Sequence, residues 1–263
     1  MLKLTYSVLN PEYTHAPTVI LGPPLGAHAA VWAGVAYRLA EEFRVVTYDL
    51  PGHGLDVENR AAARAGELDY TVADLAAGVV AIADELGVDT FHFAGCSISG
   101  GVAQHLALDH AERLASVAVL CSQERFGDPQ TYLDRAAEVL RDGTRSLVAD
   151  TADRWFAAGF LDEDNPTAGI VLEMLAGTDD AAYAAACRAL AGYDLTGRTQ
   201  AITVPALYIA GVQDPGATPE LMESLAARIA GAKFVTIPDS AHLCLAEHPE
   251  LVADHLEEFF LAH

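Results

Sequence analysis

A serine hydroxyl becomes a useful nucleophile only where it is exposed, conformationally strained and set beside a base. Residues 91–104, Phe-His-Phe-Ala-Gly-Cys-Ser-Ile-Ser-Gly-Gly-Val-Ala-Gln, could provide such a place. An apolar β-type run stops at small residues, and helical spacing begins at once with Val102, Leu106 and Ala107. A strand, a tight turn and a helix in that order put a serine at the apex, with small neighbours because strand and helix approach closely. Ser97 and Ser99 both compete for that apex. Further on, Asp214 in Gly211-Val212-Gln213-Asp214-Pro215 and His242 in Asp239-Ser240-Ala241-His242 each follow another strand-like run. An imidazole that accepts the serine proton, oriented by a carboxylate, would complete a site for acyl transfer.

Such a site also needs N–H donors for the oxyanion that develops on the attacked carbonyl. If Ser97 is the nucleophile, the amide of Ile98 is one. A second belongs in the loop Gly22-Pro23-Pro24-Leu25-Gly26, where the two prolines have no N–H and leave Gly22 and Leu25 as donors.

The elements around these residues alternate. Residues 2–9 read as an edge strand, and residues 18–21, 43–50, 91–96 and 115–121 as further strands; helical spacing at 29–39 and 70–86 lies between them. Thr71, with Asp74 three residues later, is a plausible cap for the second of those helices. Strand–helix alternation predicts a mostly parallel sheet covered on both faces. From residue 125 to about 198 the alternation stops and the patterns are mostly helical, with loop signals at 127–129 and 162–166. It resumes with strands at 204–210 and 233–237 and helices at 219–229 and 249–261. In a sheet of this kind ligands sit at the carboxyl ends of the strands, which is where the serine, Asp214 and His242 fall.

Composition narrows the partners. The 263 residues suit one α/β core with an inserted subdomain, and 52% hydrophobic residues are enough to cover both faces of a large sheet. A net charge of -22 argues against nucleic acid and against an anionic membrane surface. The first ten residues alternate like a strand, with no leader pattern, and no run is long enough to span a membrane. Cys96, Cys121, Cys187 and Cys244 lack paired metal-ligand spacing and read as small buried residues of a reduced, cytoplasmic protein. No metal or organic cofactor is expected, because side chains and water can perform every step. The acidic, Ala-rich surface offers no seam from which to read an oligomeric state.

The serine segment resembles the nucleophile elbow of α/β-hydrolases, where Gly-x-Ser-x-Gly-Gly leads into a helix bearing Ala-Gln. Ala103-Gln104 and Ala111-Glu112-Arg113 fall in matching register when Ser97 is the nucleophile, and the same resemblance selects Leu25 as the second oxyanion donor. The order Ser97, Asp214, His242 is the order that superfamily uses. Pro51-Gly52-His53-Gly54 resembles a structural loop common there, so His53 is expected to be structural; His28 could reach the site mouth or face solvent. Two departures stand out: Ser99 in place of a glycine, and Gly22-Pro23-Pro24 in place of a more polar run.

Beyond the superfamily, Leu25-Gly26 through Trp32, the elbow, Arg125-Phe126-Gly127, Arg154-Trp155-Phe156 and the run from Asp214-Pro215 to Thr218-Pro219 are similar to 3-oxoadipate enol-lactonases and related esterases. That resemblance implies an α/β-hydrolase fold with a helical lid inserted after the sixth strand. The core would comprise residues 1–122 and 199–263, and the cap 123–198. It implies a carboxylic ester hydrolase of aromatic compound catabolism, acting on a small ester or lactone that carries a carboxylate. Arg125 would anchor that carboxylate, unless it pairs with a local acid such as Glu124 or Asp128; Trp155 and Met174 would shape the pocket. The same triad also serves esterases and carbon–carbon bond hydrolases of other small metabolites, and some proteins of this fold are ligand receptors without turnover.

Overall fold

Five-residue apolar runs such as Val19–Leu21 with their flanks are too short for helices and too apolar for an exposed strand, so they belong inside a sheet. A computed structural model describes residues 2–161 and 166–263. Seven strands form one sheet: β1 (Tyr6–Val8), β2 (Thr18–Gly22), β3 (Arg44–Tyr48), β4 (Phe91–Cys96), β5 (Leu114–Leu120), β6 (Ala206–Gly211) and β7 (Lys233–Ile237). Their order is β1-β3-β2-β4-β5-β6-β7, with β1 antiparallel to β3 and every other pairing parallel. β2, β4 and β6 are buried along their whole lengths, as central parallel strands covered on both faces must be.

The helices are α1 (Ala33–Leu39), α2 (Val57–Arg64), α3 (Val72–Glu85), α4 (Ile98–Asp109), α5 (Pro129–Asp142), α6 (Val148–Trp155), α7 (Pro166–Gly177), α8 (Asp180–Ala191), α9 (Pro219–Ala226), α10 (Cys244–Glu247) and α11 (Pro249–Leu261). α1 packs on α11 and α3 on α4, while α5 and α8 form the closest helix pair of the segment between β5 and β6. The cap expected for α3 is present in full: Thr71 and Asp74 exchange hydrogen bonds as a capping box. α2 was not legible, since Ala63 is its sole buried residue and no apolar stripe marks it; Asp56 starts it by accepting the Asn59 N–H at 3.2 Å.

The expected position of the helical insertion needs correction. It follows the fifth strand, β5, not the sixth: the described strands ahead of it number five, as many as the strand-like runs read before residue 122. The loop expected at 162–166 lies outside the described residues up to Pro166, which begins α7.

Candidate active site

The turn between β4 and α4 holds Ser97 at φ 57° and ψ -117°, a region that side chains other than glycine avoid. Its surroundings enforce that conformation. The Ser97 N–H donates to the Leu120 carbonyl at 2.9 Å, and its carbonyl accepts from the Gly100 N–H and the Ser122 hydroxyl, each at 2.8 Å. Backbone strain persists only when it is over-determined in this way. Gly95 cannot be anything else, since a Cβ there would lie 2.0 Å from the Ser99 carbonyl oxygen. The two competing serines have different fates: Ser97 lines a cavity, whereas Ser99 is fully buried, with its hydroxyl bonded inside the core.

His242 lines the same cavity, and its Nδ1 lies 2.8 Å from Asp214 Oδ2. A carboxylate oxygen accepts, so Nδ1 carries the proton and Nε2 is left to accept one. Asp214 is buried; its Oδ1 accepts the Gly216 and Ala217 N–H groups at 2.8 and 3.0 Å. Burial opposes ionisation of Asp214, but His242 and the two amides outweigh it and hold the carboxyl below its ordinary range. Burial likewise opposes charging of His242, and the Asp214 carboxylate more than reverses that, lifting the imidazole to about 9.

That cavity, of about 140 Å³, suits a small metabolite and not a long acyl chain. Leu25 and Trp155 are among its walls. Leu25 and Ile98 share a further property: neither amide donates a hydrogen bond among the described residues. Unspent backbone donors on either side of a nucleophile are what a developing oxyanion requires.

Arg125 is not part of this cavity. It is about half exposed, its Nε lies 3.8 Å from Asp194 Oδ2, and its backbone bridges Asp194. The acid it pairs with is thus Asp194, distant in sequence, and not the local acids Glu124 and Asp128. Its neighbour Phe126 lines the cavity instead, at a tight turn in which the Gly127 N–H donates to the Arg125 carbonyl at 3.2 Å. Met174 does not line the cavity either; it packs against the core, and its carbonyl accepts the Thr178 hydroxyl at 2.9 Å. His53 is wholly buried, its Nδ1 held on the Pro51 carbonyl at 3.1 Å, and burial drives it down to about 4, so it is a neutral structural group. His28 caps the turn at Ala29–Trp32 and faces a different depression of the surface.

The cations of the cavity are Arg135 and Arg154. Arg154 is oriented by the Asp150 carbonyl and the Thr151 hydroxyl, both at 3.1 Å, and Arg135 lies over the Tyr132 ring at 5.4 Å. No carboxylate among the described residues lies within ion-pair distance of either guanidinium. Partial burial, and after it the like charge of Arg135, lowers Arg154 from its ordinary value. Arg154 stood in the sequence beside Trp155 and could have been singled out; Arg135 could not, because only the packing of α5 on α8 brings it there.

Glu247 was also missed. It is a buried carboxylate whose oxygens accept the Ala157 and Ala241 N–H groups, each at 2.7 Å, and the Leu243 N–H donates to the Trp155 carbonyl at 2.9 Å. The end of α6 is thereby fastened to the loop that carries His242. An acid closing the apolar run Leu243-Cys244-Leu245-Ala246 was the available signal.

Comparison with known proteins identifies the family of the chain. Residues 19–255 match the family model described as the alpha/beta hydrolase family. The chain is 33% identical to 3-oxoadipate enol-lactonase 1 of Acinetobacter baylyi, over 94% of this chain and 89% of that one. It is 28% identical to a pimeloyl-[acyl-carrier protein] methyl ester esterase of Aeromonas hydrophila, over 96% and 99% of the two chains. Among solved structures, the enol-lactonase from Burkholderia xenovorans superposes with a TM-score of 0.90 at 29% identity, covering 99% of this chain and 96% of that one.

Proposed function

The chain belongs to the alpha/beta hydrolase family and is a carboxylic ester hydrolase; from that premise we propose that it opens a small lactone bearing a carboxylate, as a 3-oxoadipate enol-lactonase does. The observation that carries this reading is the pair Arg135 and Arg154, two guanidinium groups without carboxylate partners among the described residues, in the cavity that also contains Ser97 and His242. In a protein of net charge -22, cations left open in one cavity are suited to recover an anion that the overall field repels. A guanidinium holds a carboxylate through two parallel bonds, which fixes the orientation of the ring as well as its position.

In the mechanism, Ser97 Oγ attacks the lactone carbonyl while His242 Nε2 takes its proton. The oxyanion rests on the Leu25 and Ile98 amides. Collapse breaks the ring C–O bond, and the enolate oxygen leaves with the proton that His242 returns. The acyl group stays on Ser97 until water, deprotonated by His242, attacks it and restores the serine. Asp214 keeps the imidazole in the required tautomer throughout. Residues 123–198 act as the lid: α5 and α6 supply the two arginines, and Glu247 fastens the end of α6 against the His242 loop.

Relative turnover of 3-oxoadipate enol-lactone and its neutral methyl ester tests the proposal. The free acid is expected to have a kcat/KM roughly ten to a hundred times higher, the range for charge-assisted hydrogen bonds. Equal rates would leave the ester hydrolase and remove the anionic lactone.

A further inference from the structure

The two departures from the elbow pattern, Ser99 and the Gly22-Pro23-Pro24 run, touch one another. Ser99 Oγ lies 2.6 Å from the Pro23 carbonyl oxygen and 3.0 Å from the Tyr48 hydroxyl. A carbonyl can only accept, so the one serine proton is spent on Pro23 and Tyr48 must donate to Ser99. Burial pushes the Tyr48 phenol well up, which keeps that proton in place. The chain of bonds therefore runs in one direction, from Tyr48 through Ser99 to Pro23. It is closed from solvent, since Tyr48 and Ser99 are both fully buried.

The loop it reaches is the one that carries the Leu25 amide. With prolines at 23 and 24 the loop cannot be fixed through N–H groups at those positions, and its carbonyls are the available handles. Four of them are held: Gly22 O by the Trp32 indole at 2.9 Å, Pro23 O by Ser99, Pro24 O by the Ala27 N–H at 3.2 Å, and Gly26 O by the Thr178 hydroxyl at 3.3 Å. Only one of these anchors comes from the turn that bears the nucleophile. Ser99 stands two residues after Ser97, and a single ring-locked proline separates the bonded Pro23 carbonyl from the peptide that presents the Leu25 N–H. The neighbouring glycine completes the fit. A Cβ on Gly22 would come within 2.6 Å of both Ser99 Cβ and the Tyr48 hydroxyl oxygen, so the side chain at 99 occupies the space that residue 22 gives up.

We propose that Ser99 is a positioning residue: its hydroxyl, oriented by Tyr48, ties the Pro23 carbonyl to the nucleophile turn and sets the distance between the Leu25 and Ile98 amides. The assignment rests on the roles read for Ser97, Leu25 and Ile98 above. Ser99 touches no substrate and acts through the loop. Its two partner positions follow as one adaptation, a serine accommodated by a glycine and tethered to a proline-stiffened loop.

The test measures kcat and KM on a chromogenic acetate ester, together with inhibition by a boronic acid, whose tetrahedral serine adduct places an oxygen where the oxyanion forms. In Ser99→Ala, kcat is expected to fall roughly tenfold, less than the hundredfold or more lost when an oxyanion donor is removed outright, with KM within about twofold. Boronic acid affinity should fall by the same factor as kcat. Tyr48→Phe, which keeps the Ser99–Pro23 bond but removes its orienting donor, should show the same pattern more weakly, and it serves if Ser99→Ala does not fold. Gly22→Ala is expected to lose folded protein, and Gly22→Ala with both Ser99→Gly and Tyr48→Phe, which clear the two obstructing groups, to regain the fold while kcat stays low. Wild-type kcat and boronic acid affinity in Ser99→Ala, even with a lower melting temperature, would overturn the proposal. Turnover that survives Ser97→Ala would overturn it by a different route, by removing the nucleophile on which it rests.

Discussion

The strand ends of the sheet and the helices between β5 and β6 meet at one cavity but hold their residues there by different means. Ser97, Asp214 and His242 stand on short turns after β4, β6 and β7, and backbone hydrogen bonds fix the turns of Ser97 and Asp214 directly. Arg135 and Arg154 stand on helices, and where they point depends on how α5 packs on α8 and how the end of α6 is tied down. Chemistry in this molecule is set by local backbone, and recognition by tertiary packing. Changes in the two regions should therefore differ in kind: loss of rate in the first, loss of selectivity in the second.

The widest separation is expected from Ser97→Ala, which should reduce turnover of every ester by roughly 10⁴-fold or more with binding intact, measured by single-turnover kinetics. Residual wild-type turnover would break the comparison at its first term. Next comes pH. In the proposed mechanism the neutral imidazole is the base, and His242 is lifted to about 9, so kcat/KM should climb roughly fiftyfold between pH 7 and pH 9. Stability moves the other way. A folded value above the ordinary 6.5 means that the His242–Asp214 pair stabilises fully below about pH 6.5 and that this contribution fades as pH rises through about 9. In Asp214→Asn the burial of His242 loses its main opposition, and the rising limb should shift to lower pH; an unmoved limb would detach the acid from the base.

Selectivity sharpens the other side. Arg154→Ala should raise KM for the carboxylate-bearing lactone about tenfold or more and leave a neutral ester nearly unaffected. Arg125→Ala, which removes an exposed pair with Asp194, should change neither by more than about twofold, and a large effect there would restore the anchor first expected of it. The smallest change tests the seam between the regions. Glu247→Gln exchanges one acceptor of a buried carboxylate for a donor facing an amide, and should cost about 1–3 kcal/mol in stability, read by denaturant unfolding, with a milder loss of rate.

The same division explains what the sequence disclosed. The elbow was legible because Gly95, Ser97 and the helix after it are neighbours in the chain, and the close approach of strand and helix leaves a mark in small residues. Asp214 and His242 were legible because each falls within a few residues of the end of a strand-like apolar run, in the chain order serine, acid, histidine. Arg125 stands where the resemblance places an anchor, but its pairing with Asp194 is made by tertiary contacts that no local pattern discloses. Arg135 left no local trace, since α5 has many polar residues and only its packing against α8 selects one of them. Ser99 was legible as an anomaly but not as an adaptation, because its explanation lies at Gly22 and Tyr48, far along the chain.

The chain has two tryptophans, and they stand on opposite sides of the cavity's chemistry. Trp32 is sealed in the core with its indole N–H on the loop that carries Leu25, while Trp155 forms part of the cavity wall beside Arg154. Intrinsic fluorescence of the unmodified enzyme is thus divided between a reporter of the framework and a reporter of occupancy. Trp32→Phe leaves an emission that follows ligand entry, and Trp155→Phe one that follows the loop alone, so the order in which the site fills and tightens can be timed without a label.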